Sequence, residues 1–326
     1  MSLPSLAELS DSLRVVAIPL KQKFRGITTR EVVLFEGPYG WGEFSPFVEY
    51  GVEESSRWLA AGIESAFVGW PAPKRDSIEI NATIPDGTPE EAVAALNFFQ
   101  GCRTAKIKVA GAHSSLDTTR LIEIERALGD SGKIRIDANG SWSVDEALKQ
   151  ISAFYEVLGN TLEYVEQPCA TVREISQVHE KLSVPVPLAI DEGIRKEGYT
   201  RNLSDIADVA ILKVAPMGGV KNALHIAKEL DMPIVVSSAL ETSIGMRAGL
   251  ALAAALPNLF GACGLGTVDL LGGDVISHSL VAEDGAISLR DVAPSLELLD
   301  RWAAPSDRIE WWQHRLTTTF EFLESR

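Results

Sequence analysis

Cysteine is scarce in this 326-residue chain: Cys102, Cys169 and Cys263 are odd in number and show no CxxC spacing. That argues against both a thiolate zinc site and a disulfide framework, and the three read as small buried hydrophobes of a reducing compartment. Histidine is scarce as well. The five present (His113, His179, His225, His278, His314) show neither HxH nor HExxH spacing, which disfavours a histidine-ligated metal hydrolase. Positive charge is in deficit: the formal net charge is −15, so no basic face for nucleic acid is expected, and an anionic membrane surface would repel the chain. Long apolar runs are missing, since the longest, 248–256, stops at Pro257 and is far too short to span a bilayer. The opening Met-Ser-Leu-Pro-Ser-Leu lacks the charged and apolar regions of a secretion signal, so a cytoplasmic location is expected. No low-complexity segment or repeat is visible, and the sequence carries no signal for an oligomeric state. What remains is a small-molecule partner. A small anionic one is admissible if lysines and a metal reverse the sign of the field locally.

Hydrophobic residues make up 46% and charged residues 23%, the balance of a folded globular chain. The first 76 residues read as a local α+β unit. Strands are expected at 13–20, 30–35 and 41–44, with a Gly37-Pro38-Tyr39-Gly40 turn, and then a helix over 53–68 with apolar Trp58, Leu59, Ile63 and Phe67 in phase. Trp70-Pro71-Ala72-Pro73 marks a boundary. Beyond it eight short apolar runs recur, at 78–83, 104–109, 133–137, 161–166, 187–191, 209–214, 233–238 and 259–263. Amphipathic stretches such as 116–127, 144–158, 171–182 and 220–230 separate them. Strand–helix alternation of this length predicts parallel βαβ units closed into a barrel. An open doubly wound sheet would want a glycine-rich phosphate loop after its first strand, and Ile84-Pro85-Asp86-Gly87 is a poor one. The expected fold is therefore α/β: a (β/α) barrel over 77–284, a modified TIM barrel, with an α+β capping domain over 1–76. The tail 285–326, helical in pattern at 296–302 and 310–322, packs back on that cap.

The runs end in a pattern. Lys106 and Lys108 lie on the second, Asp137 ends the third, Glu166 the fourth and Asp191 the fifth; Lys213 lies on the sixth and Ser238 ends the seventh. From Lys106 to Ser238 the steps are 31, 29, 25, 22 and 25 residues, each about one βα unit, so neighbouring strands should present these groups at one mouth of the barrel. A lone strand-end Asp is often a helix N-cap, and a lone strand Lys usually faces solvent. Five ionisable groups placed one unit apart in apolar strands are not explained that way. Three carboxylates, Asp137, Glu166 and Asp191, crowded in a partly dry mouth call for a hard cation with oxygen ligands; Mg2+ suits best and Mn2+ is admissible. Lysines on both flanks, Lys108 and Lys213, then suit removal of a proton next to a carboxylate. Glu192 points away from its neighbour and is the weaker member.

The order Lys106-Ile107-Lys108, Asp137-Ala138-Asn139, Glu166-Gln167-Pro168, Asp191-Glu192 and Lys213 resembles the enolase superfamily, and within it the muconate-lactonizing subgroup. Two later stretches, 237–245 and 264–271, sharpen the resemblance. It implies an enolase-like barrel with a capping domain, Mg2+ on Asp137, Glu166 and Asp191, and Lys108 as the base. It further implies a syn-dehydration of a cyclohexadiene carboxylate to an aromatic product, Lys108 also returning the proton to the leaving hydroxyl. Lys213 would be the cation facing the enediolate and Lys106 the electrostatic support of Lys108. Arg135 and Asn139 match positions lining the site, and Ser238 with the Gly264–Leu265 turn would face the substrate's side arm. Cap loops at 21–28 and 46–51 would close over it. The alternative within the subgroup is a racemase of N-succinylamino acids or a dipeptide epimerase, with one lysine working each face.

Overall fold

In the computed structural model, residues 3–24, 26–197 and 203–326 are described. The first three strands, β1 (Arg14–Phe24), β2 (Ile27–Gly37) and β3 (Gly40–Phe44), form an antiparallel meander, and Pro38-Tyr39 makes the β2–β3 turn. Helix Val52–Phe67 lies on this sheet with backbones almost touching: a Cβ on Gly42 would meet the Gly62 carbonyl at 2.2 Å. Glycine is required there for want of space. The C-terminal helix Ser306–Glu324 packs against the same helix, and Trp312 sits edge-on to Phe44 at 5.9 Å. Arg308 and the Trp312 indole both donate to the Glu31 carboxylate of β2. The C-terminal helix thus packs on the first 76 residues, while Ala286–Ser288 of the same tail pairs with Ser77–Glu79.

The remaining strands are β4 (Ser77–Glu79), β5 (Ala82–Ile84), β6 (Thr104–Lys108), β7 (Lys133–Asp137), β8 (Leu162–Glu166), β9 (Leu188–Ile190), β10 (Val209–Leu212), β11 (Ile234–Val236) and β12 (Ala286–Ser288). Strands β5 to β11 form one parallel sheet in chain order. It curls until residues 259–264 bridge its edges, Leu259 to Ile234 and Gly264 to Ser237 on one side, Cys263 to Ile80 on the other. The eighth apolar run therefore closes the ring through single bridges rather than a full strand. The first run differs too. It splits at Ile80–Asn81, with β4 pairing antiparallel to β12 and only β5 entering the barrel. Helix Val144–Leu158 has the predicted bounds, and Ser143 with Glu146 closes a capping box at its start.

Burial sorts into two cores. The larger lies between the strands and their helices and continues into the cap; the smaller, Tyr164, Ala189, Val209, Ile211 and Val235 with Phe260 against it, fills the barrel interior. Inward residues alternate along each strand, so Lys106 and Lys108, Arg135 and Asp137, and Tyr164 and Glu166 share the inner face. Among the described residues no helix is long and apolar enough to cross a membrane.

Candidate active site

Register puts the predicted groups at one height. Lys108 pairs with Asp137 and Asp137 with Glu166 across β6, β7 and β8. Glu166 pairs with Ala189, and Asp191 lies two residues further, just past β9. All three carboxylates are buried, and above them opens a cavity of about 1170 Å3 between barrel and cap. Lys106 stands between two of the carboxylates, 2.9 Å from Glu166 and 3.3 Å from Asp137. The Lys108 ammonium donates to Asp137 at 2.6 Å and to the Asn139 amide oxygen at 2.7 Å. Lys213, on the far flank, donates to Asp191.

Each group's ionisation follows from its neighbours. Burial, then the charge of Asp137, pushes the Glu166 carboxyl up to about 8. Burial opposes the charge of Asp137 too, but Lys108 and Lys106 outweigh it and hold that carboxyl well below its usual range. Lys106 and Lys213 are likewise opposed by burial and pulled up by their carboxylates, chiefly Glu166 and Asp137 for the first and Asp191 for the second. No three acidic, histidine or cysteine side chains among the described residues share one cation as they stand. What stands between Asp137 and Glu166 is an ammonium, so the donor set already holds a cation. Three buried carboxylates on successive strand ends, all oxygen donors, fit a hard divalent ion.

Neighbouring side chains fix this arrangement. Asn139, at φ 47°, donates to Glu192 at 3.1 Å while accepting from Lys108. Gln167, which sequence reasoning passed over, accepts from the Asp191 and Gly193 amides and donates to the Cys169 carbonyl. It locks the backbone of one carboxylate from the strand of another. Its adjacency to Glu166 was the only signal in the sequence. Ser238 donates to the Gly264 carbonyl at 2.9 Å and pairs with the Thr267 hydroxyl at 2.8 Å, and all three line the cavity. Phe24 at the end of β1, Gly26 just before β2, and Phe47 and Tyr50 after β3 line it from the cap; the expected loop at 21–28 is mostly strand, and its Arg25 lies outside the described residues.

Two predicted contacts are not brought to the cavity. Arg135 faces inward but two residues below Asp137, fully buried, donating to Glu163 at 2.6 Å, Asn81 at 3.2 Å and the carbonyls of Ala262 and Phe260. Leu265 follows Gly264 and so points to the opposite side, buried against Gly249 of helix Ser243–Ala255. Depth along the strand explains the first and the turn from one residue to the next the second.

Residues 15–66 match the enolase N-terminal domain-like family and residues 90–294 the enolase C-terminal domain-like family. The chain is 50% identical to an o-succinylbenzoate synthase of Thermobifida fusca over 290 residues, 88% of this chain and 90% of that one. It is 45% identical to an o-succinylbenzoate synthase of Mycobacterium leprae over 324 residues, 98% of this chain and 95% of the relative. Among solved structures, muconate lactonizing enzyme from Pseudomonas fluorescens superposes with a TM-score of 0.76 at 21% identity, over 90% of this chain and 98% of that one. The L-Ala-D/L-Glu epimerase from Bacillus subtilis gives 0.73 at 24% identity, over 87% and 96%. These last two speak for the fold, and the sequence relatives narrow it: the chain belongs to the enolase superfamily and, within it, to the o-succinylbenzoate synthase family.

Proposed function

We propose that the chain catalyses the o-succinylbenzoate synthase reaction of menaquinone biosynthesis: the syn-dehydration of 2-succinyl-6-hydroxy-2,4-cyclohexadiene-1-carboxylate to 2-succinylbenzoate. It is then a carbon–oxygen lyase. The observation that carries the reading is the set at the mouth, with lysines flanking three buried carboxylates beneath a cavity. The full-length similarity to o-succinylbenzoate synthases selects the dehydration among the reactions such a set can perform.

Asp137, Glu166 and Asp191 would hold a divalent metal, Mg2+ first and Mn2+ as substitute. Bound there, it would act as a Lewis acid on the substrate carboxylate and lower the cost of charge building up beside it. The rest falls to the side chains. Lys108, freed of its proton, takes the α-proton, and the C–H electrons move toward the substrate carboxylate as an enediolate. Lys213, on the opposite flank, faces that developing charge as an ammonium. The electrons then return to form the aromatic ring as the C–O bond breaks. The Lys108 proton goes to the departing hydroxyl, so water leaves and the lysine is neutral again. Lys106, two residues before Lys108 on the same face, would support it electrostatically through the Asp137 carboxylate that both approach. Residues 1–76 with 285–326 form the unit that covers the mouth, and Ser238, Thr267 and Gly264 offer the hydroxyls and backbone that meet the succinyl arm. The reaction is assigned to the cytoplasm, in keeping with the three free, buried cysteines.

The test is direct. Purified chain with Mg2+ and the hydroxycyclohexadiene carboxylate should form the aromatic product. Absence of that product, with racemisation of N-succinylamino acids under the same conditions, would overturn the assignment in favour of the isomerase alternative.

A further inference from the structure

Beyond Lys108 the chain leaves β6 through Ala110, whose φ of 60° is left-handed backbone that a side chain resists. Two buried residues of the next helix, Asp117–Leu128, hold it there. The Asp117 carboxylate accepts the Ala110 N–H at 2.9 Å. Arg120, wholly buried, donates to the Lys108 carbonyl at 2.7 Å, to the Pro85 carbonyl at 3.0 Å and to Asp117. Its guanidinium also lies 3.5 Å from Asp86. Pro85, Asp86, Lys108 and Ala110 border the cavity; Arg120 and Asp117 stand behind them. One guanidinium thus ties the segment after β5 to the segment after β6. Lys108 is fixed twice: its carbonyl by Arg120, its ammonium by Asp137 and Asn139.

A fully buried ion pair roughly breaks even in stability against apolar residues of the same size, because desolvation offsets the attraction. What this pair supplies is registration. We infer that Arg120, with Asp117 as its partner, is a positioning residue that sets the height and direction of Lys108. The inference rests on the reading of Lys108 as the base. Displacing a reacting group by about 1 Å costs roughly 10²-fold in rate, so the effect belongs in kcat rather than in substrate affinity.

The test uses the full chain with Mg2+ and the hydroxycyclohexadiene carboxylate, with hydrogen or deuterium at the α-carbon. Arg120→Met, folded by circular dichroism, should lose about 100-fold in kcat with KM changed less than about threefold. The deuterium isotope effect should be fully expressed on kcat, because proton removal becomes the slow step. Arg120→Lys, whose ammonium can still reach one carbonyl, should regain part of the loss. The inference is overturned by a folded Arg120→Met with kcat within about threefold of wild type, by a loss confined to KM, or by an isotope effect smaller than wild type. If Arg120→Met does not fold, the near-isosteric Asp117→Asn decides by the same readouts and limits. A wild type that racemises N-succinylamino acids instead would overturn the assigned reaction only. The variants would then be compared on α-proton exchange in that substrate, with the same kcat and KM limits deciding the role of Arg120.

Discussion

Strands β6, β7 and β8 each send two polar side chains into the barrel, one above the other, and the two tiers differ in what satisfies them. In the lower tier Arg135 is held by four hydrogen bonds, to Glu163, Asn81 and two backbone carbonyls, and its guanidinium carbon lies 4.8 Å from the centre of the Tyr164 ring. Protein encloses it on all sides, and no chemistry is left to do. In the upper tier Lys108 donates to Asp137 and both line a cavity, while Glu166 is held by Lys106. Lys106 starts in the lower tier, paired in register with Arg135, and reaches up to Glu166. The difference separates a charge buried for structure from a charge buried for use. The first is enclosed by its partners; in the second the paired Lys108 and Asp137 also border an opening.

The comparison can be broken from either side. In the upper tier, Asp137→Asn should weaken Mg2+ binding and lower kcat by about three powers of ten, several kcal/mol of lost charge stabilisation. Calorimetric titration with Mg2+ beside steady-state kinetics checks both parts. In the lower tier, Arg135→Met should do the reverse. Removing one partner of a buried pair costs about 3–5 kcal/mol of stability, read by urea denaturation, while the folded fraction keeps a kcat near wild type.

A third buried charge sits at the junction of cap and barrel. Glu43 on β3 accepts from the Thr242 amide and hydroxyl and the Gly245 amide, and Ser45 donates to its other oxygen. Burial raises it to about 7, with Glu241 adding to the effect and Thr242 opposing it. A carboxyl raised on folding binds more protons in the native state than in the unfolded one. Its contribution is thus fully present below the unfolded value of 4.5 and is lost as pH rises through about 7. Glu43→Gln, which cannot ionise, should gain on wild type across that window by on the order of 2–3 kcal/mol, and urea denaturation at pH 5 and pH 8 measures the gain. The smallest effect is expected at Tyr164, whose buried hydroxyl has no hydrogen-bond partner among the described residues. Tyr164→Phe should be neutral or stabilise by up to about 1 kcal/mol, with kcat unchanged.

Much of the upper tier was legible in the sequence, because period-two alternation and strand-to-strand spacing are local signals. They placed Lys106, Lys108, Asp137, Glu166, Asp191 and Lys213 without any tertiary information. The same signals explain the errors. Arg135 shares a face with Asp137, but two residues along a strand is about 6–7 Å of depth, enough to move it from mouth to floor. Leu265, one residue past Gly264, is turned away altogether. The apolar pattern of the first run does not show that the chain changes partner after Glu79, from β12 to the closing segment at Ile80. Gln167, Arg120 and Glu43 were not legible. Each acts by reaching another element, and a polar residue in a helix or strand carries no mark of its distant acceptor.

Under the proposed function, Lys108 is the group that removes the proton and returns it. The most direct measurement is single-turnover dehydration by Lys108→Met beside wild type, both saturated with Mg2+. The account predicts a folded variant with wild-type melting temperature and metal affinity that forms aromatic product roughly 10⁴-fold more slowly or not at all. Product formation within tenfold of wild type would contradict it.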